Sequence, residues 1–250
     1  MNRKPFFLIL TTLLALSTFP FAAAQNMDMN AVTPQAKVEI RNALDMIGHD
    51  MIAFTEYVED AYKLDSTMPV ANAFLALDPL KAEYCAQHVM RFNAFEGEYT
   101  KVELLFKDML GQLANPSFKM SSMGEQFTDL HPEDGGLHAF VGYMYQLNER
   151  PRLAIKHYQR AIALSNHAGA HNLLGYSYLE ADRLELAKQS FVSYLAAYPD
   201  HPNPYDSMGD YFMKVEKYDE AVEAYEQALK LSPGSNFAAK KAEEARAKMK

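Results

Sequence analysis

Apolar residues recur every three or four positions along most of the chain after residue 33, and the pattern is most regular beyond residue 135. That spacing places apolar side chains on one face of an α-helix and polar side chains on the other. Pro199 and Pro233 end two of the regular segments, because proline cannot donate a hydrogen bond within a helix. No segment shows the apolar–polar alternation of a strand, so the pattern predicts an all-α chain.

The region before residue 132 shows the same periodicity in a less regular form. Thr33 and Pro34 resemble an N-cap followed by proline at the first helical position. A helix is therefore predicted from about residue 35 to residue 64, with a break near Gly48. Three further helices are predicted, over residues 79–95, 98–113 and 118–130.

Residues of the same type recur with a period of 34 in the second half of the chain. The pairs are Gly175 and Gly209, Ala187 and Ala221, Phe191 and Tyr225, and Pro199 and Pro233. An earlier copy lies 33 residues upstream, with Gly142, Ala154 and Tyr158 in the equivalent places. Glycine inside a helix costs about 1 kcal/mol relative to alanine. A glycine that recurs at one position therefore indicates a place where a second helix must approach closely.

This pattern resembles the tetratricopeptide repeat (TPR), a helix–turn–helix unit of 34 residues. The copy beginning at Pro202 matches every signature position of the family in residue class, and the copy beginning at Ala168 departs only at His171 and Tyr194. The copy beginning at Gly135 has Asn166 in place of the final proline. The resemblance implies a TPR-type α-solenoid of antiparallel helix pairs. Within residues 132–250 it implies repeats at 135–167, 168–201 and 202–235, followed by a capping helix at 236–250.

The upstream region contains two short segments, residues 61–65 and 127–132, that resemble the end of the second helix of a TPR. We therefore expect residues 25–131 to form degenerate TPR-like hairpins stacked on the clear repeats, with a separate helical bundle as the alternative. One hairpin cannot bury its own apolar face, which is why repeats of this kind stack.

The first 24 residues have the three-part layout of a secretory signal peptide. Arg3 and Lys4 precede an apolar stretch over residues 6–16, and residues 22–24 are three alanines suited to cleavage. An uncleaved membrane anchor is the alternative, although the apolar stretch is short for a span. We therefore expect an exported protein, periplasmic or secreted.

Composition and charge narrow the function classes. The chain has 250 residues, of which 49% are hydrophobic and 22% are charged, as in globular proteins. Its net charge of −8 argues against nucleic-acid binding, which needs a basic face. The single cysteine, Cys85, excludes an intramolecular disulfide framework. We expect a buried helical thiol there, with an intermolecular disulfide as the alternative.

Motifs for catalysis, cofactors and metals are missing from the sequence. There is no G-x-S-x-G, S-x-x-K, Walker or G-x-G-x-x-G motif. His167 and His171 have metal-ligand spacing but lack a third ligand. Met120 and Met123 fit core filler better than copper ligands, and the acidic run before Gly135 lacks the pattern of a calcium loop. We therefore predict no enzyme activity, no cofactor and no metal site.

The TPR resemblance leaves the concave groove, lined by the first helix of each repeat, as the functional surface. The candidate partner-binding residues carried over from the family are Tyr143, Gln146, Asn172, Tyr176, Asp206, Asp210 and Met213. The family's carboxylate clamp is absent, because Ala139 and Tyr143 stand at its positions in the first clear repeat. Asp206 and Asp210 lie four apart with no basic residue at the matching groove sites of the previous repeat, which favours a basic or neutral partner segment.

Together these features predict a non-catalytic protein–protein interaction scaffold outside the cytoplasm, with no nucleic-acid partner. Two other functions fit the same sequence. One is a periplasmic binding protein for a small molecule or cell-wall fragment, and the other is an accessory subunit of an exported hydrolase. The groove residues could also form an ordinary solvated surface without a partner.

Overall fold

The computed structural model describes residues 29–31, 33–77, 85–112 and 123–249, except for the side chain of residue 85. Within these residues every regular element is a helix, which confirms the predicted all-α fold. Three features predicted from the sequence lie outside the described residues. They are the signal-like segment at 1–24, the side chains of Cys85 and Met120, and the first parts of two predicted helices, at residues 79–84 and 118–122. None of the described helices is both long and apolar enough to cross a membrane.

Thirteen helices follow one another in the described part of the chain. They are α1 (Pro34–Met46), α2 (Met51–Leu64), α3 (Pro69–Leu77), α4 (Cys85–Asn93), α5 (Lys101–Gln112), α6 (Gly124–Leu130), α7 (Gly135–Leu147), α8 (Pro151–Ser165), α9 (Ala168–Glu180), α10 (Leu184–Ala197), α11 (Pro202–Lys214), α12 (Tyr218–Leu231) and α13 (Asn236–Lys248). Consecutive helices pack in pairs, α7 with α8, α9 with α10 and α11 with α12, and α13 packs on α12. The paired packing is that of a TPR solenoid.

Helix α1 ends where the sequence predicts a break, close to Gly48. Gly48 has a φ of +77°, in the left-handed region that favours glycine. Asp50 then begins α2, because its Oδ1 accepts hydrogen bonds from the backbone N–H groups of Ile52 and Ala53. The predicted segment 35–64 is therefore two helices joined by a tight turn.

The periodicity of the sequence does not predict α3, and this is the main correction to the predicted elements. Residues 69–76 of this helix are all buried. A helix that is enclosed on every side has no polar face, so it shows no apolar–polar periodicity.

The repeated glycines mark close helix contacts, as the sequence indicates, but their partner is an aromatic ring and not the repeated alanine. A Cβ atom on Gly142 would lie 2.5 Å from Tyr158 Cε1, and one on Gly175 would lie 2.5 Å from Phe191 Cε1. At Gly209 the distance to Tyr225 Cε1 would be 2.3 Å. In each repeat the aromatic ring of the second helix thus occupies the space that a side chain on the first helix would need.

One continuous apolar core joins the upstream helices to the repeats. At its centre Phe74 of α3 packs edge-on against Phe106 and Phe140, with ring centroids 5.2 and 5.4 Å apart. Phe127 of α6 joins the same cluster, 4.9 Å from Phe106. The assignment of residues 25–131 to degenerate TPR hairpins stays a prediction. What the structure shows is that α1–α2, α3–α4 and α5–α6 are in contact and share this core.

The N-terminal helix pair does not only stack on its neighbour in sequence. Helix α1 also contacts α7 and α9, the first helices of two clear repeats. The chain therefore curves far enough for α1 to meet helices that lie about a hundred positions later.

Candidate functional site

The last residues of α1 and the turn that follows them, residues 44–50, lie across the N-terminal ends of α7, α9 and α11, and we call this segment the docked turn. Leu44 approaches Gly136 at the start of α7, and Ile47 approaches Gly169 at the start of α9. A Cβ atom on Gly169 would lie 2.0 Å from the carbonyl oxygen of Ile47, and one on Gly136 would lie 3.1 Å from Leu44 Cβ. Each of these two helices therefore has a glycine in its first turn where the docked turn comes closest.

Polar side chains of the repeats hold the main chain of the docked turn. Asn172 Nδ2 donates to the carbonyl oxygen of Gly48 at 2.8 Å, and Asn203 Nδ2 donates to that of His49 at 2.5 Å. His167 Nε2 lies 3.0 Å from the carbonyl oxygen of Leu44. Because His167 Nδ1 accepts from the N–H of Ala170, Nε2 carries the proton and is the donor. Each of the three hydrogen bonds to the docked turn therefore ends on a backbone carbonyl.

The ring of His49 is the main side-chain anchor of the docked turn. It stacks on Tyr198 with a centroid distance of 3.7 Å and an interplanar angle of 8°. Its Nδ1 lies 2.7 Å from the hydroxyl of Tyr194, and the ring of His201 is 4.4 Å away. Burial, helped by the neighbouring His201, lowers the pKa of His49 to about 4. At neutral pH the ring is therefore uncharged.

A second titratable group of the docked turn is shifted in the opposite direction. Burial raises the pKa of Asp45 to about 6. Asp134, which N-caps α7 by accepting from the N–H of Leu137 at 2.8 Å, also has a raised pKa, mainly through burial. Both groups show that the carboxylates at this junction are poorly solvated.

The acidic pair of the third repeat has a cation within the chain. Lys241 of α13 places Nζ 2.9 Å from Asp206 Oδ2 and 2.7 Å from the carboxylate of Asp210. The groove positions of the previous repeat hold no basic residue, as the sequence shows, and the cation beside these carboxylates comes instead from the capping helix. Burial raises the pKa of Asp206, and the hydrogen bond from Lys241 opposes that shift.

Asp210 is also the acceptor for two tyrosines. Tyr176 OH donates to Asp210 Oδ2 at 2.8 Å, and Tyr225 OH donates to Asp210 Oδ1 at 2.8 Å. Burial, followed by the charge of Asp210, raises the pKa of Tyr176. Asp210 therefore ties together the first helices of two repeats, a second helix and the cap.

Ser207 joins this cluster to the docked turn. Its Oγ donates to Asn172 Oδ1 at 2.8 Å and lies 3.3 Å from Tyr176 OH. Since Asn172 holds the carbonyl of Gly48, polar contacts run from the docked turn to Lys241, although neither hydroxyl has a proton left for the 3.3 Å contact between Ser207 and Tyr176. We call this chain of contacts the groove network.

Of the seven groove residues predicted from sequence, four lie in the groove network and three do not. The four are Asn172, Tyr176, Asp206 and Asp210. Gln146 accepts a hydrogen bond from Tyr158 OH at 2.7 Å. Tyr143 is half-buried against the main core, and Met213 is half-buried against the small cluster beneath the cap.

Sequence reasoning missed Ser207, Lys241 and His49 as members of the site. Ser207 and Lys241 are not at groove positions of the family pattern, so that pattern carries no signal for them. His49 follows Gly48, and only the broken helical periodicity there indicates a turn. His167, which was considered as a metal ligand, instead caps α9 and holds the docked turn. Among the described residues no group of three or more side chains is arranged to hold a metal ion.

A separate cleft of about 460 Å³ lies between α6 and α8. At its floor His138 Nδ1 and His157 Nδ1 are 3.1 Å apart. The outer nitrogens face oxygens, His138 Nε2 the carbonyl of Pro132 at 3.1 Å and His157 Nε2 the carboxylate of Glu125 at 3.4 Å. Burial lowers the pKa of both histidines, so both rings are neutral at neutral pH.

Comparison with known proteins supports the repeat architecture. Two family models described as tetratricopeptide repeat match residues 145–202 and 202–235. No curated protein sequence matches the chain.

Solved structures are similar in fold. A chain of the APC/C hetero-tetramer Cut9–Hcn1 is 15% identical with a TM-score of 0.55, over 84% of this chain and 42% of that chain. This chain therefore spans less than half the length of that one. MamA from Desulfovibrio magneticus RS-1, residues 41 to the end, is 17% identical with a TM-score of 0.48, over 61% of this chain and 93% of that chain. The family models show tetratricopeptide repeats within residues 145–235, and the structural likenesses concern the fold alone.

Proposed function

We propose that this tetratricopeptide-repeat protein is a non-catalytic scaffold outside the cytoplasm, periplasmic or secreted, that binds a segment of a partner protein in its concave groove. One observation supports this most directly. Asn172 and Asn203, on the first helices of consecutive repeats, donate to backbone carbonyls of a segment laid across them. Backbone carbonyls are present in every polypeptide, so this chemistry is suited to gripping a peptide.

The charge of the groove favours a basic or neutral partner segment. Asp206 and Asp210 carry two negative charges and Lys241 carries one positive charge, which leaves a net charge of −1 at this point. An acidic segment would be repelled, whereas a basic segment would be attracted by a force that salt screens over about 8 Å at physiological ionic strength. Tyr143, Tyr176 and Met213 are half-buried and supply apolar surface beside these charges.

Capture of the partner by the purified protein, followed by mass spectrometry, tests groove binding when matched variants are compared. Met213→Ala and Tyr143→Ala remove apolar surface from the groove side. Val192→Ala removes a comparable group from the outer face of α10, where this side chain is 48% exposed. We expect the two groove variants to lose a protein that wild type and Val192→Ala retain. Equal capture by all four proteins would argue against groove binding.

Export is a separate part of the proposal and has its own test. Residues 1–24 can be fused to a reporter enzyme that folds only in an oxidising compartment. We expect activity from the fusion, and no activity when Arg3, Lys4 and the apolar stretch are deleted. An inactive fusion that is nevertheless produced would overturn the proposed location.

Binding of a small molecule or cell-wall fragment is a second candidate, favoured by the cleft between α6 and α8. Its volume of about 460 Å³ lies within the range of small-molecule sites. Native mass spectrometry of the purified protein would show a bound compound directly. A compound lost in the variant Lys156→Ala, which changes the rim of this cleft, would favour this function over peptide binding.

A further inference from the structure

The docked turn occupies a built site, and the side chains that form it can be defined from their contacts. Each of them either donates to the main chain of residues 44–49 or packs on the ring of His49. We call this set the turn seat: His167, Asn172, Tyr194, Tyr198 and Asn203. Three elements, α9, α10 and α11, contribute to it.

The turn seat recognises a backbone shape more than a sequence. Its side chains donate to the carbonyl oxygens of Leu44, Gly48 and His49. The requirement for glycine at position 48 is geometric, since its φ is +77° and a Cβ atom there would lie 2.5 Å from Leu173 Cγ. The only ring that the turn inserts is that of His49, between Tyr198 and the hydroxyl of Tyr194.

Several features make the docked turn a ligand that can leave. Its polar contacts with the turn seat are single hydrogen bonds, which are individually weak. The turn also buries Leu44 and Ile47, so a segment that replaces it must bring apolar side chains to those two positions. The docked state also buries the titratable groups of Asp45 and His49, whose shifted pKa values show that docking costs solvation of both. At one end the Asp50–His201 pair, 3.8 Å apart, is 31% exposed on both side chains and adds little.

We infer that the docked turn is an internal ligand of the groove, and that the partner segment is a helix-ending turn of the same chemistry. Such a segment presents backbone carbonyls around a glycine in the left-handed conformation, followed by a flat ring that stacks on Tyr198. The partner binds by replacing residues 44–50 in the turn seat. This inference rests on the proposed peptide-binding function and adds to it the shape of the partner and the occupant that it displaces.

The competition is unequal, because the docked turn is tethered to its seat. A tethered ligand acts at an effective concentration in the millimolar range. The apparent affinity for a segment added in solution is reduced by the fraction of molecules whose seat is open. Weakening the docked turn should therefore strengthen binding from solution, whereas a change that merely damages the fold should not.

The probe is a fluorescein-labelled peptide with the sequence of residues 41–52, and its binding is followed by fluorescence anisotropy. In the variant Gly48→Val the docked turn cannot keep its φ of +77°, so the seat opens. We expect this variant to bind the peptide about tenfold or more tightly than wild type does. Gly111→Val is the matched control, because a Cβ atom on Gly111 meets nothing within 4 Å. It should bind the peptide as weakly as wild type.

Two further comparisons show whether the peptide enters the turn seat. Adding Asn172→Ala and Asn203→Ala to Gly48→Val should abolish the gain in affinity. A peptide that carries valine in place of its own glycine should also fail to bind. If Gly48→Val does not reach native helicity by circular dichroism, His49→Ala is used, since it keeps the backbone and removes the anchoring ring.

The inference is overturned if a natively helical opened variant binds the peptide no better than wild type. It is also overturned if the peptide binds equally well without the two asparagines. The capture experiment with the groove variants tests the proposed function, separately from the peptide experiment. A groove-dependent partner without peptide binding would leave the proposed function standing and remove this inference, and peptide binding without a groove-dependent partner would do the reverse.

Discussion

The ammonium group of Lys241 lies 2.7 Å from the carboxylate of Asp210, which joins the last described helix to the groove of the third repeat. The side chains are only 16% and 24% exposed, so solvent screens the pair incompletely. Asp210 also accepts from Tyr176 and Tyr225, and the ion pair therefore orders more than its own two residues. The capping helix thus does two things: it covers the small apolar cluster of the third repeat, and it neutralises part of the charge of Asp206 and Asp210.

Removing this ammonium should destabilise the protein. Lys241→Met keeps the length of the side chain but leaves Asp206 and Asp210 facing each other without a cation, which should cost about 2–3 kcal/mol in the free energy of unfolding. Lys240→Met is the control, because Lys240 is 77% exposed and pairs loosely with Glu244 at 3.8 Å. Urea unfolding of both variants measures the difference. A Lys241→Met variant as stable as the control would mean that the ion pair adds no stability.

Filling the repeated glycine positions should also destabilise the fold. In Gly175→Leu and Gly209→Leu the added side chain would collide with Phe191 and Tyr225, whose rings lie within 2.5 and 2.3 Å of the new Cβ atom. We expect each to cost about 3 kcal/mol or more, since the rings have no free space to move into. Gly111→Leu should change stability little, because nothing lies near that position. Thermal midpoints from circular dichroism decide the comparison.

Acid should loosen the docked turn through His49. The docked state lowers the pKa of His49 from 6.5 to about 4, so the neutral ring is the form that docks. The stability that this ring contributes is complete above pH 6.5 and is lost as the pH falls towards 4. Hydrogen exchange at the amides of residues 47–50, corrected for the intrinsic pH dependence, should therefore report more frequent opening at pH 5 than at pH 7.5.

The matched variant for this pH dependence is His49→Phe, which keeps a ring against Tyr198 and cannot be protonated. Its docked turn should not loosen between pH 7.5 and pH 5. Asp45 acts in the opposite direction, because its raised pKa of about 6 means that docking improves as this carboxyl is protonated. The combination with Asp45→Asn removes that opposing effect. A response to acid that is the same in wild type and in His49→Phe/Asp45→Asn would exclude His49 as its source.

The paired histidines in the cleft between α6 and α8 allow a prediction from a count of protons. The three contacts along Pro132, His138, His157 and Glu125 need three donated protons, but two neutral imidazoles carry only two. At neutral pH one contact must lack a proton, and the longest, 3.4 Å from His157 to Glu125, is the one we expect. Nitrogen chemical shifts in NMR spectra should therefore show His157 protonated on Nδ1.

Glu125→Gln should repair this deficit, because an amide can donate to His157 Nε2 while both rings stay neutral. We expect the variant to be more stable than wild type at pH 7.5 by about 1 kcal/mol. The gain should shrink below pH 6, where wild type can take up the third proton. Glu133→Gln is the control, since Glu133 is 69% exposed and contacts only Arg160 among its described ion pairs. A gain of the same size in the control would contradict the proton count.

The helical fold and the clear repeats could be predicted from the chain because their signals are local. Gly209 and Tyr225 lie 16 positions apart, and their contact is repeated at Gly175 and Phe191 and again at Gly142 and Tyr158. A contact made within each repeat appears in the sequence as a motif that recurs with the repeat period, and the sequence therefore predicts it. Helix α3 left no such trace, because burial on all sides removes the polar positions that define a helical face.

The occupied groove could not be read in this way, because its contacts join segments that have no common period. Asn172 and Gly48 lie 124 positions apart, and Lys241 reaches Asp206 from 35 positions away and outside the groove pattern. Whether such residues meet depends on the curvature of the solenoid, which accumulates from a small rotation at each repeat. Sequence periodicity determines which face of each helix is apolar, and the resemblance to the repeat family predicts which residues line the groove. The summed rotation of the helices determines that the groove receives the chain's own turn at one end and its own lysine at the other.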